Sequence, residues 1–131
     1  MEYGPTATMV SQMEDADRQA LQRLYYALGE IKGIAAHMPV GQVMALLLVS
    51  LHENKPMKEL ASLADTNIST ISRQLIDLGA RNRRMEPGYG LIDQRQNPMN
   101  LRENQYTLTL KGTHLIKGIL KQLTRKTGSV A

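Results

Sequence analysis

The sequence predicts a mainly α chain with a small β-hairpin, and three observations carry that prediction. Apolar residues recur at helical spacing through most of the chain. Residues 56–79 hold two short amphipathic segments with a tight break between them. Directly behind these, residues 90–112 read GLIDQRQNPMNLRENQYTLTLKG. Two apolar, strand-like ends there enclose a polar tip with Arg95 and Arg102.

From Ser11 to about Ala36 the pattern is helical. Leu21, Leu24, Leu28, Ile31 and Ala35 alternate spacings of three and four, and Met38 continues the series. Glu14, Asp15 and Asp17 near its start suit the helix dipole. Gly29 and Gly33 each weaken the helix by about 1 kcal/mol relative to alanine, and either admit another helix or mark a bend. The seam suits an intramolecular core or, on a helix this long, a dimer interface. Pro39 ends the helix, and a second one spans roughly Val40–His52. It is apolar on most sides (Val43, Met44, Leu46, Leu47, Leu48, Leu51), which places it at the centre of the domain. The ENKP stretch then reads as a turn.

In PMKELASLADTNISTISRQLIDLG, Pro56 suits a helix start, and Leu60, Leu63 and Ala64 form an apolar face. Asp65-Thr66-Asn67 is the break, with Asn67 as N-cap. The second helix, about 68–79, has Ile68, Ile71, Leu75 and Leu78 on one face. Ser69, Thr70, Ser72, Arg73 and Gln74 lie on the other. This is a helix-turn-helix pattern, in which a polar N-terminal half enters the major groove. Hydroxyls reach phosphates and base edges, while Arg and Gln make longer bidentate contacts.

A hairpin directly after a helix-turn-helix is a wing. Leu91-Ile92 and Tyr106-Thr107-Leu108 are expected as its two strands, within about 91–108, joined by a long loop. Arg95 and Arg102 then suit the negative potential of a minor groove. Thr109 caps a final helix, Leu110 to about Lys126. Its apolar face is Leu115, Ile116, Ile119, Leu120 and Leu123, and Lys117, Lys121 and Arg125 recur on the other side. The full prediction is a winged helix-turn-helix whose long N-terminal and C-terminal helices form a dimerisation module. Its divisions are a flexible stretch at 1–10, a dimerisation helix at 11–38, a DNA-binding region at 39–109, and a second dimerisation helix with its tail at 110–131. Leu21, Leu24, Leu28, Ile31, Leu115, Ile119 and Leu123 are the candidate dimer contacts.

Charge supports a polyanionic partner. Residues 1–65 hold five basic and eight acidic side chains, about −3, and residues 66–131 hold eleven and four, about +7. Five tyrosines, with no Phe or Trp, cannot easily build a stacking platform for single strands. Duplex contacts are therefore expected. The chain has no cysteine, which excludes disulfides and thiolate chemistry. His37, His52 and His114 have no ligand spacing, so no metal or other cofactor is expected. No Gly-x-Ser-x-Gly or phosphate-cradling loop points to an enzyme. The longest apolar run, Val43–Val49, is too short to span a bilayer. No signal peptide is visible, and a cytoplasmic, nucleoid-associated location is expected.

The order of elements resembles the MarR family of winged-helix transcription regulators. KELASLADTNISTISRQLIDL is similar to that family's helix-turn-helix. Gly90-Leu91-Ile92, Arg95, Asn100-Leu101-Arg102 and Leu108-Thr109-Leu110-Lys111-Gly112 are similar to its wing. The resemblance is good over about 40–118 and one of pattern only in the first helix. It implies a homodimer on a pseudo-palindromic duplex, with Arg102 as wing-tip arginine and Arg73 in the recognition helix. It also raises a small-molecule effector, for which Met38 and Met44 are candidate lining.

Two departures stand out. Asn100 occupies a position where the family has an Asp that steadies the wing arginine. The stretch GARNRRMEPGY, 79–89, lengthens the link from recognition helix to wing and adds Arg81, Arg83 and Arg84. These suit an extra phosphate-contacting element or a longer recognition helix. Alternatively, this is a solvated insertion whose arginines pair with acids such as Asp77 and Glu86. The chain past the wing is also short for the family. Two other readings use the same fold: a protein-interaction module, and a sequence-tolerant architectural DNA binder.

Overall fold

The computed structural model describes residues 13–125. The stretch expected to fray at 1–10, the expected helix start at Ser11, Lys126, and the tail at 128–131 lie outside the described residues. The first helix, α1, spans Asp15–Ile34, with Asp15 and Asp17 in its first turn and Lys32 in its last. It continues unbroken through Gly29 and Gly33, where an added Cβ would meet nothing within 4 Å. The Ala35 amide closes the helix on the Ile31 carbonyl at 2.8 Å.

Pro39 is the N-cap of α2, Val40–Leu51. Only one stripe of α2 is buried, through Gln42, Ala45, Leu46 and Val49. The helix expected at the centre of the domain thus joins the core through Ala45, Leu46 and Val49, while its apolar Val40, Met44 and Leu51 stay exposed. Val43 and Leu48 beside that stripe are partly buried against the core, and the remaining side of α2 is open among the described residues.

The helix-turn-helix consists of α3, Met57–Leu63, and α4, Ile68–Leu78. Their facing residues are Leu60 and Ala61 from α3 and Ile71, Leu75 and Leu78 from α4, all buried. Leu63 and Ile68, expected on these faces, are about half exposed, at 49% and 52%. The short α3 buries the i, i+1 pair instead, because it meets its neighbours at a single turn.

Part of the ENKP stretch is a strand rather than a turn. Lys55–Pro56 form β1, which pairs antiparallel with the later strand β3, Asn100–Leu108, opposite Tyr106 and Gln105. β2, Ile92–Asn97, pairs with the other side of β3, giving the sheet order β1-β3-β2. A proline suits the edge strand, where its missing N–H faces no partner. The Glu53 carboxylate fastens this corner by accepting the Thr107 hydroxyl and, at 3.1 Å, the Leu108 amide.

The wing corrects a further expectation. The polar segment between the apolar ends is not a long loop but ladder. Pairing runs from Ile92↔Leu108 to Gln96↔Asn104, shifts register after Gln96, and resumes at Asn97↔Asn100. Backbone groups supply these bonds, so a ribbon with both faces wet can be built from Gln and Asn. Only Pro98 and Met99 lie between the strands.

Thr109 caps α5, Leu110–Leu123: its hydroxyl accepts the Gly112 amide at 3.0 Å and donates to the Gly90 carbonyl at 2.7 Å. The helix stops at Leu123, short of the expected Lys126. It packs along α1, where Ala27 and Ile31 meet the same core as Leu115 and Ile119. No helix among the described residues is long and apolar enough to cross a membrane.

Candidate nucleic-acid interface

The recognition helix is set by its cap. Asn67 is extended, and its side-chain oxygen accepts the Thr70 amide at 2.8 Å. That use occupies the Asn67 carbonyl oxygen within the helix end. Ser69 and Arg73 are exposed beyond it, while Thr70 and Ser72 are half-buried. Gln74 goes elsewhere: its amide nitrogen sits 2.9 Å from where a Cβ on Gly41 would be, so the side chain lies over the start of α2. Its carbonyl also takes a long bond, 3.4 Å, from the Gln42 amide. Of the α4 residues expected at DNA, Ser69 and Arg73 are the most available and Gln74 the least.

The insertion at 79–89 is a closed loop and not an extension of the recognition helix. Its backbone folds back on the helix end: Tyr89 donates to Asp77, Gly90 to Gly79 and Leu91 to Leu78, at 3.2, 2.9 and 2.8 Å. The Asn82 side chain accepts the Arg84 and Glu86 amides, and Met85 takes a left-handed φ of 62° to complete the turn. The three arginines separate by partner. Arg83 pairs with Asp77 on α4, Nη2 to Oδ2 at 3.0 Å, with its own amide 3.1 Å from Oδ1. Arg81 donates to the Met85 carbonyl at 3.0 Å. Arg84 makes no side-chain hydrogen bond or ion pair among the described residues.

Asp77 is an anchoring residue that sequence reading treated only as a possible partner. Partial burial pulls its carboxyl up, and the Arg83 side chain and amide, with the Arg84 charge, together hold it below the usual value.

The wing arginines sit in different parts of the ladder. Arg95 lies opposite Gln105 in its regular part, whereas Arg102 lies in the 101–103 segment of β3 that the register shift leaves without a Cα partner. Arg95 lies 3.8 Å from Asp93, two residues along the same face, and both are exposed. Asn100 accepts the Arg102 amide at 3.2 Å and so fixes the backbone rather than the guanidinium. Nothing in the chain holds the Arg102 side chain by a hydrogen bond or ion pair among the described residues.

The candidate dimer residues divide into two groups. Ile31, Leu115 and Ile119 are buried inside the chain's own core, at 7%, 4% and 5% exposure. Leu21, Leu24, Leu28 and Leu123 are open, at 53%, 49%, 50% and 42%. The methionines separate as well. Met44 borders an open apolar cleft of about 320 Å³ between α2 and the helix-turn-helix, beside Leu48, Leu63 and Ile71. Met38 packs instead on the core. No group of three or more His, Asp or Glu side chains that could hold a metal ion occurs among the described residues.

No family model and no curated protein matches the sequence. Solved structures do match the fold. The MarR crystal structure is 26% identical, with 76% of this chain and 69% of that one covered and a TM-score of 0.55. The MarR family transcription regulator SP03579 is 28% identical over 88% of this chain and 71% of that one, at a TM-score of 0.55. The transcriptional repressor CouR, solved bound to a 23-mer DNA duplex, is 18% identical over 95% and 80%, at a TM-score of 0.58. With helix-turn-helix, three-stranded sheet and flanking helices in the same arrangement as in these regulators, this chain has a MarR-like winged-helix fold.

Proposed function

We propose that this protein is a homodimeric winged-helix transcription regulator that binds a pseudo-palindromic duplex. In this reading α4 enters the major groove, led by Ser69 and Arg73, with Asn67, Thr70, Ser72 and Gln74 around them. The β2–β3 wing brings Arg95 and Arg102 to the flanking minor groove, and Arg81, Arg83 and Arg84 lie beside the backbone. One observation carries the reading. Arg73 and Arg102 stand exposed on the two DNA-reading elements of the fold, with no hydrogen bond or ion pair from their side chains among the described residues. A cation kept without an internal partner is available to a phosphate or base edge. The half-exposed leucines of α1 support self-association, because water-facing leucines at this spacing favour a second apolar surface. The protein would act on DNA in the cytoplasm.

A second reading, sequence-tolerant binding, is favoured by Asn100. It steadies the backbone of Arg102 and leaves the guanidinium free to meet any phosphate.

The test is fluorescence anisotropy with duplex flanking the protein's own gene against scrambled duplex, at two salt concentrations. A preference of about a thousandfold, weakened by Arg73→Ala at the cost of about 1–3 kcal/mol per lost bidentate contact, establishes the regulator. Arg102→Ala should lower the salt slope by about 1. Equal, salt-sensitive binding to both duplexes selects the architectural reading. Absence of binding to either one refutes both.

A further inference from the structure

The wing tip carries apolar side chains that the ribbon does not need. Beyond buried Ile92, the exposed residues of the wing are amides or charged, with three exceptions: Pro98, Met99 and Leu101. Met99 is 91% exposed and Leu101 66%, and neither belongs to the core cluster. Neither side chain adds to core burial, and Met99 is the most exposed large hydrophobic among the described residues.

The tip is also fixed in shape. Asn97 accepts the Met99 amide at 3.0 Å and donates to Glu103 at 2.9 Å. Gln96 donates to the Leu101 carbonyl at 2.9 Å. These bonds occupy amide groups that would otherwise be free to read base edges, so the group presented foremost is a thioether chain. A two-stranded ribbon as a whole suits only the roughly 12 Å major groove, so at a minor groove about 6 Å wide only the side chains at the tip can enter. Arg95 and Arg102, both exposed, flank the tip on β2 and β3, where they can meet phosphates beside the groove.

Resting on the DNA-binding reading above, we propose that Met99, backed by Leu101, is an apolar wedge that enters the minor groove, partly unstacks a base step and bends the duplex. Met, Leu and Pro are side chains that minor-groove proteins insert in this way, with kinks of about 20–90°. The step that yields most readily is pyrimidine–purine, so the wedge adds a preference for TA or CA at the wing position without a hydrogen bond to any base. Both wings of a dimer would bend the site in the same sense.

The experiment uses a duplex of about 30 base pairs from DNA flanking the protein's own gene. Donor and acceptor dyes on its ends report bending, and 2-aminopurine at candidate wing steps reports stacking. Wild type is expected to raise energy transfer and 2-aminopurine emission together. Met99→Ala should abolish both signals, weaken binding roughly fivefold for the loss of one partly buried methionine, and leave the salt slope unchanged. Met99→Leu should restore both signals. Arg73→Ala serves as the contrast, because it weakens binding without removing the bend of the complex that still forms. If Arg73-dependent binding is intact but wild type neither bends nor unstacks the duplex, the wedge is refuted and the regulator reading survives. The same holds if Met99→Ala matches wild type in both signals. If wild type binds no duplex, both fail together. Conserved bending in Met99→Ala with a lower salt slope would transfer the role to the arginines and also overturn the proposal.

Discussion

Gly112 lies in the first turn of α5, where helix propensity alone favours alanine by about 1 kcal/mol. The structure predicts the opposite sign. A Cβ there would fall inside contact distance of the Leu91 carbonyl oxygen, 3.0 Å from its carbon and 3.3 Å from Leu108 Cδ2. The obstacle is backbone, not the end of a flexible side chain. That carbonyl accepts the Thr109 amide at 3.0 Å, and Leu91 itself is fully buried. Making room for the methyl therefore costs overpacking of about 1–3 kcal/mol and a hydrogen bond of about 1 kcal/mol. Less the propensity gain, Gly112→Ala should lose about 1–3 kcal/mol, and at roughly 3–4 °C per kcal/mol for a domain of this size, a loss of 2 lowers the melting midpoint by about 7 °C. Urea denaturation followed by circular dichroism measures the free energy directly. Gly29→Ala is the internal control: its Cβ meets nothing, so the single chain should gain up to about 1 kcal/mol. A Gly112→Ala protein as stable as wild type would refute the claim that the close approach of α5 to Leu91 is tight.

Leu24→Glu, on the half-exposed α1 seam, should convert a dimer to monomer in sedimentation velocity with little change in the circular dichroism of the chain; an unchanged dimer would place the interface elsewhere. Glu53 is held below its ordinary value of 4.5 by the Thr107 hydroxyl and the Leu108 amide, with burial working weakly against them. Its folded pKa is the lower one, so its contribution is complete above about 4.5 and is lost as pH falls through the folded value. Stability by urea titration should decline below that point, and less steeply in Glu53→Gln. Arg83→Ala removes the ion pair to Asp77 and should raise amide exchange across 80–88, leaving the α4 core protected. Unchanged exchange would show that the backbone bonds alone hold the loop.

Much of the candidate site was legible because it depends on local chemistry. Asn67 and Thr109 are caps because of what their side-chain oxygens can accept within three residues, and sequence reading placed both. The heptad-like seam, the helix-turn-helix break and the wing's position follow from periodicity and turn residues. The rest depends on what lies opposite in space. The wing's ladder is built from backbone bonds that Gln and Asn neither require nor announce, so it read as loop. β1 is two residues long and exists only because β3 passes beside it.

The seam on α1 shows the same division. The spacing of Leu21, Leu24, Leu28 and Ile31 puts them along one helix, but only the approach of α5 decides that Ile31 is covered and the other three are not. Likewise, three arginines within 81–84 were one basic cluster in sequence. Folding ties Arg83 to Asp77 and Arg81 to Met85, and leaves Arg84 to the solvent. The sequence by itself determined the order of the helices and the wing, the caps and the supply of positive charge, because spacing along the chain controls those. Which of the charges and apolar side chains remain free for a partner was decided only by tertiary packing, because availability is what is left after the chain has satisfied itself.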